Sequence, residues 1–370
     1  MTEEELVAGL SAWVEVESPT HDAARVNAMM DLVAREAEGA GVATERIAGR
    51  DGLGDNLVLR AGPAREDGAV LVLSHLDTVH PAGTIERDLV LRREGDRLYG
   101  PGIYDMKGGA YLAFRAFLDA ARSGAGTRPL AFLFTPDEEI GSPTSRDLIE
   151  AHGRRAGAVL VTEPAREGGR CVTARKGVGR FDVEIEGRAS HSGTRHEDGR
   201  SAIREAAHQI LAIEGMTDYA RGVTTSVGMI SGGTAANVVP QHCRFSVDLR
   251  VVTSEDGEDY VARILGLRPV DRDVAVRVTG GMNRPPYERS EAIAALFGKA
   301  RSLAAELGLD LGEAPRTGGG SDGNFTAALG TPTLDGLGVE GDGAHTLHEH
   351  ALVSCLLPRL ALMERLLTRL

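Results

Sequence analysis

Four short apolar runs in the first half of the chain limit its fold more than any other feature. They lie at residues 56–60, 69–73, 129–134 and 157–161 and are rich in Val, Leu and Phe. Runs of this length predict strands that are covered on both faces, as in a parallel or mixed sheet. Residues 106–121 lie between the second and third runs and have the apolar spacing of a helix. Strands that alternate with helices in this way predict an α/β fold.

Charged and imidazole side chains directly follow three of these runs. His75 and Asp77 come after the second run, Glu138 and Glu139 after the third, and Glu163 after the fourth. In an open α/β sheet, ligands bind outside the carboxyl ends of the strands. We therefore expect these five side chains to lie close together at one edge of the sheet.

Two further residues of the same chemical kind occur in glycine-containing segments. Asp105 lies in Tyr-Asp-Met-Lys-Gly-Gly, and His345 lies in Gly-Ala-His. Imidazole nitrogen and carboxylate oxygen are both good zinc donors, and a shared carboxylate can hold two ions close together. The chain is therefore predicted to be a two-metal hydrolase, with Glu138 as a spare carboxylate. Its predicted metal ligands are His75, Asp105, Glu139, Glu163 and His345.

Each of these motifs has a simpler interpretation when it is taken alone. A histidine two residues before an aspartate is typical of a surface pair, and two adjacent glutamates are typical of a solvated face. The metal site is the better prediction because all the motifs occur together, in order and at strand ends. His348 and His350 remain alternatives to His345, and His80 and His21 are predicted to be surface residues.

The middle of the chain has a different pattern. Residues 180–186 alternate apolar and polar side chains, which predicts a half-exposed strand. A helix, two strands, a helix and a strand follow at residues 201–214, 224–230, 242–252, 254–267 and 274–278. This β-α-β-β-α-β order predicts an inserted α+β module of the ferredoxin-like kind. The predicted division is 1–174 and 284–370 for the α/β domain and 175–283 for the inserted module.

The composition argues against some classes of partner. The formal net charge is −13, whereas non-specific nucleic-acid binding needs a basic surface. No apolar run is long enough to span a bilayer, and the acidic first residues lack the basic-then-apolar order of a secretion signal. We therefore expect a cytoplasmic enzyme with neither a nucleic-acid nor a membrane partner. Cys171, Cys243 and Cys355 form no paired motif and are predicted to be buried thiols.

Six motifs give the chain a resemblance to a known family. They are Ser-His-Leu-Asp-Thr-Val, Gly-Pro-Gly-Ile-Tyr-Asp-Met-Lys-Gly-Gly, Thr-Pro-Asp-Glu-Glu-Ile-Gly-Ser, Gly-Arg-Ala-Ser-His-Ser-Gly, Asn-Val-Val-Pro and Gly-Gly-Gly-Ser-Asp, beginning at residues 74, 100, 135, 187, 237 and 318. The set resembles the dinuclear zinc metallopeptidases and deacylases: glutamate carboxypeptidases, aminoacylases, acetylornithine deacetylases and succinyl-diaminopimelate desuccinylases. Residues 100–103, 145–149 and 316–320 most resemble the bacterial glutamate carboxypeptidases that cleave folates.

The resemblance implies a fold and a cofactor. The fold is a phosphorylase/hydrolase-like zinc exopeptidase catalytic domain with an inserted ferredoxin-like dimerisation domain, which would also serve as a lid. The cofactor is two Zn²⁺ ions per subunit, with Co²⁺ or Mn²⁺ as alternatives because ligand type alone does not select among these metals. The implied ligands are a bridging Asp105, His75 with Glu163 for one ion, and Glu139 with His345 for the other.

The resemblance also implies a mechanism. A water between the two ions would be acidified toward hydroxide, and Glu138 would act as the general base. Asp77 fits a carboxylate that orients a ligating imidazole. His191 would reach the active site of a partner subunit and hold the scissile carbonyl oxygen as it becomes an oxyanion. The expected assembly is therefore a homodimer.

The implied substrate-binding residues favour a substrate with a free carboxylate. They are Asn237, Arg250, Arg284, Gly319 and Ser321. A guanidinium grips a carboxylate through two parallel hydrogen bonds, a geometry that lysine cannot copy. Backbone amides of the glycine-rich segment and the hydroxyl of Ser321 would receive the same group.

Together these residues predict hydrolysis of an amide bond next to a free carboxylate. A carboxypeptidase that releases a C-terminal amino acid such as glutamate is the favoured activity. N-acyl-amino-acid deacylases and dipeptidases act on the same reacting unit and remain alternatives. A catalytically inactive binding protein on the same fold is a further alternative, which Glu138 disfavours because a general base has no packing role.

Overall fold

The chain forms two compact units in the computed structural model, which describes residues 1–63, 67–124, 126 and 128–370. The first unit comprises Met1–Ala174, Arg289–Thr317 and Ser321–Leu370, and the second comprises Arg175–Glu288 and Gly318–Gly320. The inserted module was predicted at residues 175–283. The roles of the two units as a catalytic and a dimerisation domain stay predictions.

A six-stranded mixed sheet forms the centre of the first unit. In spatial order its strands are Ala43–Ile47, Asn56–Ala61, Leu130–Thr135, Ala69–His75, Ala156–Val161 and Thr333–Leu334. The last four are parallel to one another, and the first two are antiparallel to their neighbours. Every residue of Ala69–His75 is buried, as expected of a strand that is covered on both faces. The four parallel strands place their carboxyl ends along one edge of the sheet.

Helices and a smaller sheet surround this centre. The α-helices of the first unit are Glu3–Glu15, Ala23–Gly39, Thr84–Arg87, Gly108–Ser123, Arg146–Arg155, Glu291–Ala305, Gly323–Ala328 and Leu356–Arg369. The smaller antiparallel sheet has the order Gly341–Asp342, His350–Leu352, Arg97–Tyr99 and Arg92–Glu94. Short helical turns lie at Ile103–Lys107, Glu138–Ile140 and Val353–Cys355. The first two of these turns carry predicted site residues.

Apolar side chains at helical spacing explain how the helices pack. Helix Gly108–Ser123 buries Phe114 and Phe117 in the main core. The ring centroid of Trp13 lies 5.3 Å from that of Tyr111 and 5.3 Å from that of Phe114. Burying side chains of this size stabilises the fold by about 1.5–3 kcal/mol each. No helix in the described part of the chain has the length and apolar character needed to cross a membrane.

A four-stranded antiparallel sheet forms the second unit. Its spatial order is Thr224–Gly232, His242–Val251, Gly177–Glu186 and Ala275–Arg284. Helices Ala202–Glu214 and Ser254–Leu265 bury one face of this sheet in a second apolar core. The strand pair Ser190–His191 and Val238–Val239 and the turn His196–Asp198 are additions to this core. The strand order and the β-α-β-β-α-β connection are those of a ferredoxin-like module.

The predicted elements agree with the structure in most places and differ in a few. The helix predicted at residues 106–121 is Gly108–Ser123. The sequence also predicts a strand at residues 332–338. This prediction is wrong in length, because only Thr333–Leu334 pairs and Gly336 then turns the chain with a φ of 69°. Helix Arg146–Arg155 was not predicted, since its many charged residues hide the apolar spacing. All three cysteines are free and buried, as predicted.

Candidate metal centre

The carboxyl edge of the large sheet carries four of the predicted site residues. His75 is the last residue of its strand, and Glu163 lies two residues beyond the end of the neighbouring strand. Glu138 and Glu139 begin the helical turn that follows the strand on the other side. Three adjacent parallel strands therefore deliver a histidine and three carboxylates to one place, as the sequence predicted.

A close approach of helix and strand explains the Gly-Gly pair after Asp105. Helix Gly108–Ser123 begins three residues beyond that aspartate. A Cβ atom on Gly109 would lie only 2.1 Å from the carbonyl oxygen of Thr162. A larger residue there would push the helix away from the strand end that carries Glu163, because backbone atoms cannot give way at that distance.

His75 is oriented by Asp77. Its Nδ1 lies 3.0 Å from the backbone carbonyl oxygen of Asp77 and 3.4 Å from the carboxylate Oδ1. A histidine that is held through Nδ1 presents Nε2 to a metal. The Asp77 carboxylate also accepts hydrogen bonds from the backbone amides of Glu138 and Glu139, at 3.2 Å each, and from the hydroxyl of Thr20 at 2.8 Å. One buried carboxylate therefore holds both the imidazole and the turn of the two glutamates.

Asp105 lies between two imidazoles. Its Oδ1 is 3.3 Å from Nε2 of His75, and its Oδ2 is 3.3 Å from Nε2 of His345. Nε2 of His345 is also 3.1 Å from Oε2 of Glu139. Nε2 of His75 is 3.9 Å from Oε1 of Glu163. The two oxygens of one carboxylate thus face two separate pairs of imidazole and carboxylate, which is the arrangement that a ligand shared by two ions needs.

Both adjacent glutamates reach this cluster. Candidate ligand atoms of His75, Asp105 and Glu139 lie within 4.8 Å of one another, and so do those of His75, Glu138 and Glu163. In an extended strand, neighbouring side chains point in opposite directions. The two glutamates instead lie in a 3-10 turn, which brings both to the same side. Which of them is a ligand and which is a base stays a prediction.

The carboxylates draw protons onto the imidazoles. Hydrogen bonds to Asp105 and Glu139 raise the pKa of His345 to about 11. Burial lowers the pKa of His75, but hydrogen bonds to Asp105 and Asp77 outweigh it and raise this pKa well above its usual value. Burial, and then the negative charge of Asp105, raise the pKa of Glu139 to about 7 against the opposing hydrogen bond from His345. A cluster with these properties favours added positive charge.

Divalent cations would satisfy these groups. Among the residues that the structure describes, Oε1 of Glu139 is a buried oxygen with no hydrogen-bond partner. Asp105, Glu139 and Glu163 bring three carboxylates to two imidazoles, and such nitrogen and oxygen donors suit Zn²⁺ and related ions. A buried oxygen without a partner costs free energy that coordination would recover. The donor set therefore fits a pair of divalent ions.

His345 joins this cluster, and the two neighbouring histidines have other contacts. Nδ1 of His348 lies 3.0 Å from the hydroxyl of Thr346. Nδ1 of His350 lies 3.0 Å from the carbonyl oxygen of His348, and its ring packs against Tyr99 with centroids 5.2 Å apart. His345 itself has a φ of 65°, a left-handed conformation that residues with a Cβ adopt rarely, and residues in such conformations cluster at active sites. The geometry therefore favours His345 over both alternatives.

The residues that hold the loop of Asp105 were not predicted. His80, expected at the surface, is 6% exposed, and its Nε2 lies 2.6 Å from Oε2 of Glu349. Glu349 is buried and accepts hydrogen bonds from the backbone amides of Gly102, Tyr104 and Asp105. The surface prediction for His80 is wrong because this histidine has a buried carboxylate partner far away in the sequence. The only available signal was that each of the pair lies within five residues of a predicted ligand histidine.

Ser321, a predicted substrate-binding residue, is buried in the first unit. Its hydroxyl donates a hydrogen bond to Oδ2 of Asp335 at 2.6 Å and accepts one from the backbone amide of Gly323 at 3.1 Å. Asp335 directly follows strand Thr333–Leu334, so the pair ties a helix start to the same sheet edge. A substrate that used this hydroxyl would have to share or replace these hydrogen bonds.

His191 and Asn237 are neighbours in the second unit. The backbone amide of Ser192 donates a hydrogen bond to the carbonyl oxygen of Asn237 at 3.0 Å. The side chain of His191 is exposed, and its Nδ1 accepts hydrogen bonds from the amides of Gly193 and Thr194 at 3.1 and 3.3 Å. Since Nδ1 is an acceptor, the neutral ring carries its proton on Nε2. His191 thus presents an N–H donor of the kind that an oxyanion contact needs.

Three arginines contact the glycine segment Gly318–Gly320 within the second unit. Arg250 donates to its first carbonyl oxygen at 3.2 Å, and Arg175 donates to the carbonyl oxygen of Gly319 at 3.3 Å. Arg284 is buried, and a Cβ on the third glycine would lie 2.6 Å from its Cδ. Of the three, Arg175 was not predicted as a site residue. The segment is therefore held through its carbonyl groups.

Arg250 is already paired with an acidic side chain. It donates two parallel hydrogen bonds to the carboxylate oxygens of Asp248, at 2.7 and 2.9 Å. A guanidinium would grip a substrate carboxylate in the same way. A substrate at Arg250 would therefore compete with Asp248, and the substrate-binding role of this arginine stays a prediction.

Comparisons with known proteins bear on the whole chain. Residues 71–369 match the family model described as peptidase family M20/M25/M40. Carboxypeptidase G2 from Pseudomonas sp. (strain RS-16) is 32% identical over 374 residues, which cover 98% of this chain and 88% of that protein. Acetylornithine deacetylase from Myxococcus xanthus is 32% identical over 245 residues, which cover 62% of this chain and 63% of that protein.

A solved structure shares the fold. Aminopeptidase PepT from Bacillus cereus ATCC 10987 matches with a TM-score of 0.76, covering 100% of this chain and 98% of that chain. The sequence identity is 21%, so this likeness concerns the fold alone.

Proposed function

Because the chain belongs to peptidase family M20/M25/M40, we propose that it hydrolyses an amide bond next to a free carboxylate with the help of two divalent metal ions. Membership of this family makes the chain a hydrolase of the metallopeptidase and amidohydrolase type. One observation carries the proposal. The two oxygens of Asp105 face two separate pairs of imidazole and carboxylate, at 3.3 Å from each imidazole.

The proposed ligands form two sites that share one residue. Asp105 is common to both, His75 and Glu163 complete one site, and Glu139 and His345 complete the other. Ions bound there would polarise the scissile carbonyl group and acidify the attacking water. Zn²⁺ is the proposed metal, because imidazole and carboxylate suit it, and Co²⁺ and Mn²⁺ accept the same donors.

Glu138 is the proposed general base. Its carboxylate lies with His75 and Glu163 in one group, and its backbone amide is held by Asp77. In the proposed reaction it accepts a proton from the attacking water and passes this proton to the leaving amine nitrogen as the C–N bond breaks. A positioned acid–base group of this kind contributes roughly 10²–10⁴ in rate. Asp77 supports the reaction by orienting His75 and the turn that carries Glu138.

The proposed substrate is a peptide that ends in a free carboxylate. Arg250 and Arg284 are proposed to bind this carboxylate, and His191 is proposed to stabilise the carbonyl oxygen as it gains negative charge. Further proposed contacts are Asn237, Gly319 and Ser321. The similarity to carboxypeptidase G2 favours release of a C-terminal amino acid, for which we propose glutamate. A cytoplasmic homodimer, with His191 acting in the site of the partner subunit, is part of the same proposal.

Deacylation of an N-acyl-amino acid is the second candidate. The similarity to acetylornithine deacetylase favours it, although that match covers 62% of the chain. The two reactions share the reacting unit, an amide next to a free carboxylate. They differ in the group on the other side of the amide, which is an amino-acid residue in one case and a simple acyl group in the other.

The first experiment changes one group of the substrate. The protein is stripped of metal, reconstituted with Zn²⁺, and assayed on a peptide that ends in glutamate and on the same peptide with an α-carboxamide. We expect about two ions per chain, no activity without metal, and turnover of the free acid at least about 10²-fold faster, because charge-assisted hydrogen bonds to the carboxylate are lost in the amide. Equal rates on both substrates, or full activity without metal, would contradict the proposal.

The same assay separates the two candidate activities. N-acetylglutamate and N-acetylornithine are compared with a peptide that ends in glutamate, at equal concentration. Faster release of glutamate from the peptide supports the carboxypeptidase. Faster removal of the acetyl group would favour the deacylase instead.

A further inference from the structure

Glu349 is hydrogen-bonded to the loop that carries the proposed bridging ligand. Its Oε1 accepts hydrogen bonds from the backbone amides of Tyr104 and Asp105, at 2.9 and 3.0 Å. Its Oε2 accepts one from the amide of Gly102 at 3.0 Å. Three amides within four residues therefore converge on one carboxylate. Glu349 is only 1% exposed, so its side chain acts through the loop and not through contact with a substrate.

His80 completes this set of donors from another segment of the chain. Its Nε2 lies 2.6 Å from Oε2 of Glu349, and both side chains are buried. A buried carboxylate no longer forms hydrogen bonds with water and needs protein donors to replace them. Four donors surround this one. We call Glu349 and these donors, the side chain of His80 and the amides of residues 102, 104 and 105, the Glu349 clamp.

The clamp joins two segments that carry proposed ligands. Asp105 has φ and ψ of −118° and 95° inside the turn Ile103–Lys107, so regular helical hydrogen bonds do not set its direction. The hydrogen bond from its own backbone amide to Glu349 holds it instead. His345 lies four residues before Glu349, on the same loop. A displacement of Glu349 would therefore move the shared carboxylate and one of the two ligand histidines together.

We propose that Glu349, supported by His80, is a positioning residue that fixes Asp105 and His345 so that one carboxylate can serve two metal ions. The inference rests on the proposed metal-dependent function and adds to it a pair of residues that touch neither metal nor substrate. Residues that orient metal ligands change metal affinity about 10–100-fold when they are altered. We expect a change in metal affinity of the same size when Glu349 is altered.

The test measures metal affinity in the full-length protein, by competition between the protein and a chelator of known affinity for Zn²⁺. Glu349→Gln keeps the shape of the side chain and replaces one acceptor oxygen by an NH₂ group that cannot accept from the loop amides. We expect about 10–100-fold weaker binding of at least one ion. We also expect the visible absorption of the Co²⁺-loaded variant to change, because the ligand geometry changes.

Glu17→Gln is the matched control. Glu17 is also buried, and its carboxylate accepts hydrogen bonds from the backbone amides of Gly83 and Ile85 at 2.6 and 3.0 Å. These amides lie at the start of helix Thr84–Arg87, which carries no proposed ligand. The control variant should therefore lose similar hydrogen bonds and keep the metal affinity and Co²⁺ spectrum of the wild type.

A second variant protects the test against a failure to fold. His80→Leu removes one donor and leaves the three amides in place, so a loss of about 3–10-fold in metal affinity is expected. If Glu349→Gln does not fold, unchanged affinity and an unchanged Co²⁺ spectrum in His80→Leu would overturn the inference. If Glu349→Gln folds, affinity equal to that of Glu17→Gln would overturn it.

Wild-type protein separates this inference from the function on which it rests. A wild type that binds no divalent ion would overturn the proposed function and the inference with it. A wild type that binds two ions, together with a Glu349→Gln variant that binds them equally well, would overturn the inference alone.

Discussion

The two units hold their candidate residues in different ways. In the first unit, the buried Asp77 accepts hydrogen bonds from the backbone amides of Glu138 and Glu139, and the buried Glu349 accepts one from the backbone amide of Asp105. In the second unit, His191 is exposed, and its Nδ1 is held by amides of its own loop. The proposed metal ligands are therefore set by contacts between distant segments, whereas the proposed oxyanion donor is set by a local turn.

This difference follows from what each group has to bind. Several carboxylates in one place repel one another and lose their water, so the fold must hold them together against that cost. A single N–H donor has no such cost and can stay exposed until a substrate arrives. Changes at the proposed metal ligands should therefore alter metal content, and a change at His191 should alter turnover alone.

The largest expected effect comes from the shared carboxylate. Asp105→Asn removes the negative charge that two dications would share, so both sites should lose occupancy and turnover should fall to that of the metal-free protein. Asp77→Asn is the matched comparison, because it alters only the orientation of His75 and the adjacent turn. It should weaken metal affinity about 10–100-fold. Metal analysis after dialysis distinguishes the two variants, and two tightly bound ions in Asp105→Asn would refute the bridging assignment.

The second prediction separates two neighbours on one turn. Glu138→Gln should keep metal content near that of the wild type and reduce turnover by at least about 10², because it removes the proton acceptor. Glu139→Gln should lose one ion, because it removes a ligand. Both variants are analysed for Zn²⁺ and assayed at equal metal saturation. The assignments would have to be exchanged if Glu138→Gln lost metal and Glu139→Gln kept it.

The third prediction moves to the second unit. His191→Ala should leave metal content unchanged and lower the turnover number about 10²–10³-fold, which corresponds to about 2.7–4 kcal/mol of transition-state stabilisation. Loss of metal from this variant would break the contrast between the units. Atomic absorption and steady-state kinetics on the same preparation provide both measurements.

Mixing two inactive variants sharpens this prediction. Glu138→Gln and His191→Ala are combined under conditions in which subunits exchange. If His191 acts in the site of the partner subunit, a mixed dimer has one site with both defects and one with neither. Random pairing makes half of the dimers mixed, so activity should return toward about a quarter of the wild-type value. Demonstrated exchange without any return of activity would exclude a shared site.

Features that depend on residues close together in the sequence were predicted, whereas contacts between distant residues were not. The strands next to His75 and Glu163 were predicted because their apolar runs are local and the two side chains lie at or just beyond the strand ends. The family implied by the motifs is confirmed by the match over residues 71–369, and so is the mixed α/β fold. Local order and a set of motifs were sufficient for these features.

Contacts between distant residues could not be predicted in this way. His80 and Glu349 are 269 positions apart, and nothing near either one indicates its partner. The two hydrogen bonds from the backbone amides of Glu138 and Glu139 to the carboxylate of Asp77 depend in the same way on how two strand ends meet. A single sequence shows which residue types are present at each strand end. The pairing of buried polar groups depends on the packing that brings those ends together.

The second unit also contains a buried carboxylate, away from its exposed candidate residues. Glu205 accepts hydrogen bonds from the backbone amides of Val270 and Asp271, at 2.8 and 3.1 Å, and from the side-chain amide of Gln209 at 2.7 Å. Burial raises the pKa of Glu205, but the hydrogen bonds from Gln209 and the two amides outweigh it and hold this pKa below its usual value. Hydrogen bonds to a buried carboxylate therefore hold the interior of the second unit, although His191 is exposed on its surface.

The smallest expected effect tests that statement. A lowered pKa means that folding favours the ionised carboxylate, so its contribution is complete above the unfolded pKa of about 4.3 and is lost as the pH falls through the lower folded value. Glu205→Gln should lower the free energy of unfolding by about 1–3 kcal/mol at pH 7. Hydrogen exchange at the amides of Val270 and Asp271 should then be roughly 5- to 150-fold faster than in the wild type, with metal content unchanged. At pH 3 the difference in stability between the variant and the wild type should be smaller than at pH 7. An equal difference at both pH values would show that the charge of the Glu205 carboxylate does not stabilise this part of the second unit.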